Sequence, residues 1–139
     1  MSKPDRTSSH AARSFVFSTG LAPPSAAAAN EALTIARSAE RRERLWDAVE
    51  RLRSGLAEMG YTVRGSTQIL PVMVGDREGA MALDAALRER GVVAPGIRPP
   101  TVPEGTSRLR VAPTATHTDA ELDRCLDAFR AAGAEVGLL

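Results

Sequence analysis

The feature of this sequence that most constrains the fold is a proline-rich segment, residues 95–105, which contains four prolines. Proline has a restricted φ and no amide hydrogen, so this composition predicts a loop rather than a paired strand. Directly after the segment, residues 108–111 alternate arginine with leucine and valine. That alternation predicts a strand with both arginines on one face and the apolar side chains toward a core. A stiff loop must therefore lead into an arginine-bearing strand.

The rest of the chain alternates helical and extended patterns. A long helix is expected from about Pro24 to Met59, with a bend near Ser38, because apolar residues recur every three or four positions in its second half. The other predicted elements are an extended run at 14–19, strands at 61–63, 69–74 and 92–94, a helix at 76–90 capped by Asp76, and a last helix from a capping box at Thr118 to about Ala132.

The order of these elements lacks a regular βαβ repeat, so the sequence predicts the α+β class. We expect a small, mostly antiparallel sheet with helices on one face. Pro71 indicates that the strand at 69–74 lies at a sheet edge or carries an irregularity, because proline cannot donate to the ladder. A chain of 139 residues provides one core. We therefore expect a flexible leader over residues 1–13 and one domain over residues 14–139.

Composition argues against several functions. The net charge is +1 and the basic residues are not clustered, so neither nucleic acid nor a membrane surface is an expected partner. No apolar run approaches ~18 residues and no secretory signal is recognisable, which predicts a cytoplasmic protein. Cys125 is the single cysteine, and its place among apolar helix positions predicts a half-buried structural thiol. His10 and His117 lack metal-ligand spacing, so no metal site is expected.

No complete catalytic constellation is recognisable, and we expect no catalytic residue in this chain. The sequence has no GxSxG, GxGxxG or GxxxxGK motif, and its single lysine, Lys3, lies in the expected leader. The one suggestive pattern is Arg108 with Arg110, because guanidinium groups on one strand face can bind a carboxylate or phosphate in a bidentate manner. Spacing alone favours the alternative of an exposed strand edge that carries charge.

Several segments resemble one known family. They are residues 15–24 (FVFSTGLAPP), Pro71 with residues 74–76, residues 97–110, and residues 115–118 (ATHT). Together they resemble the C-terminal part of the α-oxoamine synthases, which are pyridoxal-phosphate enzymes of the aminotransferase fold type I. The resemblance spans nearly all of residues 13–132. Within the family, the run RPPTVP that precedes Glu104 is most similar to the 8-amino-7-oxononanoate synthases.

The resemblance implies roles for individual residues. Arg110 matches the family's arginine for the substrate carboxylate, and Thr101 matches a loop residue near the substrate end of the pocket. Ser18 matches the residue that reaches the cofactor phosphate of the neighbouring subunit in a dimer, and Thr19 is adjacent. Pyridoxal phosphate is the implied cofactor. His117 also follows the family pattern, and we expect a structural role for it.

The resemblance also implies a larger N-terminal domain, which carries the Schiff-base lysine and the two residues that hold the pyridine ring. The segment around Lys3 does not match the family's lysine motif. We therefore expect a C-terminal portion, inactive alone, of an enzyme that condenses L-alanine with a pimeloyl thioester. The alternative is a non-catalytic remnant or split-enzyme subunit that binds a partner. That partner is a complementary N-terminal chain or a second copy. A weaker alternative is an unrelated α+β module whose arginine strand binds an anion.

Overall fold

A computed structural model describes residues 20–139, and the chain divides into two compact units between Ser38 and Ala39. The predicted extended run at 14–19, which includes Ser18 and Thr19, and the expected leader lie outside the described residues. The described part of the first unit contains helix α1, Pro23–Ala36, with proline in its first turn as the sequence predicts.

The second unit begins with helix α2, Ala39–Glu58. The single bent helix predicted for this part of the chain is therefore two helices, with the break at the predicted bend. There the Ser38 amide donates to the Ile35 carbonyl, 3.0 Å away, a tight bond typical of a helix end. The spacing predicts a stripe of Leu45, Val49, Leu52, Leu56 and Met59. Val49, Leu52 and Leu56 are buried, Leu45 and Met59 are partly buried, and Ala48, outside the predicted stripe, is also buried.

Four short strands form one sheet in the second unit. They are β1 Thr62–Val63, β2 Leu70–Gly75, β3 Gly96–Ile97 and β4 Ser107–Val111. Their order across the sheet is β1-β2-β4-β3, and all neighbouring pairs are antiparallel. The predicted α+β architecture with a small antiparallel sheet is confirmed, and the arginine-bearing strand β4 lies between β2 and β3.

Pro71 lies in an interior strand, so the edge position that it suggested is wrong. Pro71 pairs with Arg110 of β4, while its carbonyl accepts a hydrogen bond from the Arg64 amide on the other side, at 3.0 Å. Because the amide and carbonyl of one strand residue point to the same side, the missing amide hydrogen removes no bond to β4. The irregularity that proline also suggested occurs further along, as a register shift between Met73 and Gly75.

The third strand does not occupy residues 92–94, where it is predicted, but Gly96–Ile97, inside the segment predicted as a loop. Val92 instead completes the end of the preceding helix, because its amide donates to the Leu87 carbonyl at 2.9 Å. The β-branched residues favour a strand locally, but helix-end hydrogen bonding overrides that preference. Both residues of β3 pair with β4.

Helices α3, Arg77–Glu89, and α4, Asp119–Glu135, complete the unit. The Asp76 side chain caps α3 by accepting a backbone hydrogen bond of 2.6 Å, as predicted. The predicted capping box of α4 is also present: the Glu121 carboxylate accepts from the Thr118 amide at 2.8 Å, and the Thr118 hydroxyl accepts from the Glu121 amide at 3.3 Å. The bond from the Thr118 amide lowers the pKa of Glu121.

The core lies between one face of the sheet and the helices. Helix α3 contacts β2, β3 and β4, while α4 packs on α2 and α3. Strand side chains alternate between this core and the opposite, outer face. The buried strand residues are Leu70, Val72, Ser107, Leu109 and Val111. The outer face of the sheet carries Pro71, Met73, Arg108 and Arg110.

Candidate functional site

The predicted substrate-binding arginine lies on the outer face of β4. Arg108 and Arg110 alternate along this strand with buried residues, so both side chains turn away from the core. The prediction that the two arginines share a face is confirmed. Arg110 is exposed, whereas Arg108 is only partly exposed.

The two guanidinium groups differ in what they already bind. Arg108 Nε donates to the Thr106 carbonyl at 2.9 Å, which ties this side chain to the end of the proline-rich loop. No hydrogen bond or ion pair joins the Arg110 guanidinium to any other residue of the range 20–139. Arg110 therefore keeps all of its side-chain donors for a ligand or for water. The two guanidinium groups therefore differ at Nε: Arg108 uses this donor within the chain, whereas Arg110 does not.

The backbone of Arg110 is held from both sides. Its amide donates to the Pro95 carbonyl at 3.0 Å, on the side of β3. On the other side, Arg110 pairs with Pro71 of β2. Each proline has a restricted φ, so the strand neighbours of Arg110 have little freedom to move. A side chain that starts from a fixed backbone loses less entropy when it binds a ligand.

Thr101 lies in the loop that joins β3 to β4. A backbone hydrogen bond of 3.0 Å closes a turn at Thr101, and Thr106 closes a second turn through its amide and hydroxyl, at 3.2 and 2.6 Å. This loop leaves the sheet at the Ser107 end of β4. At ~3.4 Å per residue, that end is about 10 Å along the strand from Arg110.

His117 and Cys125 have surroundings that fit structural roles. His117 Nδ1 accepts a hydrogen bond from the Thr114 amide at 3.1 Å, which closes the turn before α4. Cys125 packs against the core, and burial raises the pKa of its thiol to about 11. A thiol with this pKa stays protonated at neutral pH and is a poor nucleophile.

Two cavities open on the second unit, and neither is lined by Arg110 or Thr101. One, of about 320 Å³, lies between residues 90–94 and α4 and includes Cys125 in its wall. The other, of about 990 Å³, lies between the start of α2 and residues 115–119. Both predicted substrate residues are exposed.

One buried polar residue was not singled out from the sequence. Asp84 of α3 is only 5% exposed, and its carboxylate accepts a hydrogen bond from the Gly96 amide of β3 at 3.0 Å. The sequence does carry a signal, because this aspartate directly follows Leu83 on the helix side that also includes Leu87 and Ala80. A carboxylate among buried helix positions needs a partner.

The described residues do not by themselves fit pyridoxal phosphate. Covalent attachment requires a lysine amine, and the one lysine of the sequence is Lys3, outside the described residues. Among residues 20–139, the one buried side-chain polar atom without a partner is Ser107 Oγ, which faces the core rather than the outer face. The predicted phosphate-binding residues, Ser18 and Thr19, lie outside the described range.

Within residues 20–139, no group of three or more His, Cys, Asp or Glu side chains is arranged to hold a metal ion. None of helices α1 to α4 combines the length and the hydrophobicity that crossing a bilayer requires.

Known proteins resemble this chain over most of its length. The family model for aminotransferase class I and II matches residues 7–129. An 8-amino-7-oxononanoate synthase from Anaeromyxobacter dehalogenans is 51% identical over 127 residues, which cover 90% of this chain and 31% of that relative. Another, from Stutzerimonas stutzeri, is 48% identical over 120 residues, which cover 85% of this chain and 31% of that relative. The chain thus spans about a third of the length of the curated relatives that it matches.

A solved structure has the same fold. Serine palmitoyltransferase from S. paucimobilis, with pyridoxal phosphate and myriocin bound, superposes with a TM-score of 0.77 at 36% identity, over 91% of this chain and 33% of that chain. The predicted fold and the predicted resemblance to α-oxoamine synthases are confirmed, as is pyridoxal phosphate as the cofactor of these relatives. Since the family model covers most of its length, this chain belongs to the aminotransferase class I and II family.

Proposed function

We propose that this chain is the C-terminal, substrate-binding portion of an 8-amino-7-oxononanoate synthase. Its similarity to relatives of that name supports the assignment. In the complete enzyme, L-alanine condenses with a pimeloyl thioester: a carbon–carbon bond forms, the alanine carboxylate leaves as carbon dioxide, and the free thiol is released with 8-amino-7-oxononanoate. The single observation that carries the role of this chain is the exposed Arg110 guanidinium, whose donors no residue within 20–139 occupies.

Arg110 is the proposed ligand of the amino-acid carboxylate. Its planar guanidinium can donate two parallel hydrogen bonds to one carboxylate, which fixes the orientation of the substrate as well as its position. Pro71 and Met73 on the neighbouring strand give the outer face an apolar side. Thr101, in the loop that joins β3 to β4, is the proposed contact for a part of the substrate more distant from the carboxylate.

The cofactor site requires residues beyond those described. When bound, pyridoxal phosphate supplies the electron-withdrawing ring on which decarboxylation depends. Ser18 and Thr19 are the proposed ligands of its phosphate. Because Lys3 is the single lysine of the sequence, we propose that the Schiff-base lysine comes from outside these 139 residues, and that the chain alone is inactive. We further propose that the assembled enzyme acts in the cytoplasm.

Carboxylate binding by the purified chain tests the role of Arg110. The probe is L-alanine, followed by residue-resolved NMR titration. Arg110→Ala should abolish the saturable shifts on β4, and Arg110→Lys should weaken binding because lysine keeps the charge but loses the fork. Arg124→Ala is the matched control, since Arg124 is an exposed arginine on α4. If Arg110→Ala binds L-alanine as tightly as the Arg124→Ala control, the proposed role is wrong.

Titration of the chain with pyridoxal phosphate tests the proposal that the catalytic lysine lies elsewhere. The Lys3→Ala variant contains no lysine, so we expect no visible absorbance band of the kind that covalent attachment to a lysine produces. Synthase activity of this variant alone, measured as carbon dioxide release from labelled L-alanine, would contradict the proposal.

A partner-binding role is the second candidate. The chain spans about a third of its curated relatives, and the lysine that their chemistry needs is missing from residues 4–139. We propose that it associates with a complementary N-terminal chain or with a second copy of itself. Sedimentation velocity over a wide range of protein concentrations tests self-association, and mixing with the N-terminal part of the Anaeromyxobacter dehalogenans relative tests the complementary chain. A monomer in both experiments would contradict this role.

A further inference from the structure

We propose that Asp84 is a positioning residue for Arg110, and that it acts through the peptide group between Pro95 and Gly96. The inference rests on the substrate-binding role proposed for Arg110 above. Asp84 belongs to helix α3 and Arg110 to strand β4, and the peptide group at the start of the edge strand β3 forms hydrogen bonds with both residues.

The first observation is the burial of the Asp84 carboxylate. Asp84 is the one charged residue in the range 20–139 that is buried, and a buried carboxylate is costly unless its oxygens accept hydrogen bonds. Both oxygens do: Oδ1 accepts from Arg88 Nε at 2.6 Å, and Oδ2 accepts from the Gly96 amide at 3.0 Å. The Arg88 side chain is half exposed, so it neutralises the carboxylate while keeping its own contact with water.

The second observation is the close approach of α3 to β3. A Cβ atom added at Gly96 would lie 3.2 Å from Met81 Sδ and 3.3 Å from the Ala80 carbonyl oxygen. Strand β3 is at the sheet edge, so its outward amide has no neighbouring strand to bind. The Asp84 carboxylate occupies the place that a neighbouring strand would fill.

The third observation joins Asp84 to Arg110. The carbonyl of Pro95 accepts a hydrogen bond from the Arg110 amide at 3.0 Å. That carbonyl and the Gly96 amide belong to the same peptide group, which is planar and rigid. One peptide group therefore donates to Asp84 on one side and accepts from Arg110 on the other. A rotation that breaks either bond also disturbs the second, and each bond polarises the other.

The consequence concerns the geometry of the substrate site. With Asp84 in place, the Pro95–Gly96 peptide has one orientation, and the backbone from which the Arg110 side chain extends is fixed. The loop that begins after β3, and with it Thr101, is anchored at the same point. Without the Asp84 acceptor, the Gly96 amide is left unpaired at the edge of the core and the peptide can turn.

Amide hydrogen exchange on the folded chain and L-alanine titration test this proposal together. Asp84→Ala removes the acceptor, and we expect exchange at Gly96 and Arg110 to rise by about tenfold, with L-alanine binding weaker by about fivefold. Asp84→Asn keeps a side-chain carbonyl that can accept from Gly96, so most of the protection should return. Exchange at Phe129, a buried residue of α4, should stay unchanged and thus separates a local effect from global loss of stability.

The matched control is Glu40→Ala. Glu40 and Arg44 form an ion pair of 2.6 Å with the same four-residue spacing as Asp84 and Arg88, but both are exposed on α2. If exchange at Gly96 and Arg110 is the same in Asp84→Ala as in Glu40→Ala, the proposal is overturned. It is also overturned if Asp84→Asn exchanges as fast as Asp84→Ala. Should Asp84→Ala fail to fold, Asp84→Asn and Gly96→Ala carry the test, because only the glycine variant should raise exchange at Arg110.

The outcomes separate this inference from the proposed function. If the unmodified chain does not bind L-alanine, the substrate role of Arg110 fails, while the exchange data still decide whether Asp84 orders the peptide. If the chain binds L-alanine but Asp84→Ala neither speeds exchange nor weakens binding, the positioning role fails and the substrate role stands.

Discussion

The hydroxyl of Tyr61 donates a hydrogen bond of 2.9 Å to the carbonyl of Phe129, and the two rings meet edge to face with their centroids 5.6 Å apart. Tyr61 directly precedes β1, whereas Phe129 lies within α4, so this pair joins the last helix to the edge of the sheet. Both residues are buried. The contact combines an aromatic pair with a satisfied buried hydroxyl.

Tyr61→Phe should destabilise the chain by about 1 kcal/mol, because it removes the hydrogen bond and keeps the ring contact. Urea unfolding measures this as a lower midpoint at unchanged slope, since the surface exposed on unfolding stays the same. A variant that is at least as stable as the unmodified chain would show that the hydroxyl contributes nothing.

Alkaline pH should weaken the fold through the same residue. Burial raises the pKa of Tyr61 to about 12, above the ordinary value of 10.0. The unfolded chain then loses this proton at lower pH than the folded chain, so stability is constant below about pH 10 and falls as the pH rises toward 12. Tyr61 is the single tyrosine, so tyrosinate absorbance reports its ionisation directly.

The control for that pH dependence is Tyr61→Phe. Burial also raises the pKa of Cys125 to about 11, so ionisation of this thiol lowers stability over an overlapping pH range. The loss of stability at alkaline pH that Tyr61 causes is the part that is absent from the Tyr61→Phe variant. A tyrosinate titration of the folded chain centred at pH 10 would contradict the prediction.

Gly133→Ala should destabilise the chain by about 2 kcal/mol, as expected for a methyl group forced into a filled core. A Cβ atom at Gly133 would collide with the Tyr61 hydroxyl and lie 2.8 Å from Leu139 Cδ1. Thermal unfolding of the single and double variants measures the effect. Tyr61→Phe combined with Gly133→Ala should recover part of the loss, because phenylalanine lacks the colliding oxygen. Strict additivity of the two losses would argue against this collision.

Cys125 should react slowly with thiol reagents in the folded chain. Its pKa of about 11 lies two units above the ordinary value of 9.0, which makes the thiolate roughly a hundredfold scarcer near neutral pH. Reaction with a chromogenic disulfide at pH 8, followed with and without denaturant, measures the difference. Equal rates under both conditions would mean that the thiol is neither buried nor shifted.

Much of the fold could be predicted from local patterns. Local patterns predict the Asp76 cap, the Thr118 capping box and the buried residues Val49, Leu52 and Leu56 of α2. Each of these features depends on residues within a turn or two of one another. Strand β4 was readable from its alternation for the same reason. The candidate Arg110 came from that strand together with the family resemblance.

The wrong predictions concern residues whose backbone hydrogen bonds run to a neighbouring element. Pro71 suggested a sheet edge, but it lies inside the sheet because its missing amide points away from β4. Residues 92–94 suggested a strand, but the amide of Val92 binds the end of α3 instead. In both cases a backbone hydrogen bond decides the conformation, and the side-chain propensities from which the strand and the edge were predicted do not report such a bond.

The sequence by itself determined the class of the fold, the element that carries Arg110 and the family, because periodicity, caps and motifs are properties of short segments. Only the tertiary structure decided that the Nε of Arg108 binds the Thr106 carbonyl, and that Asp84 and Arg110 bind opposite sides of one peptide group. The physical reason is that the packing of the core determines which hydrogen-bond partners meet in a sheet and in the helix that covers it. Here packing brings together residues of three separate elements, which lie up to 26 positions apart in the sequence.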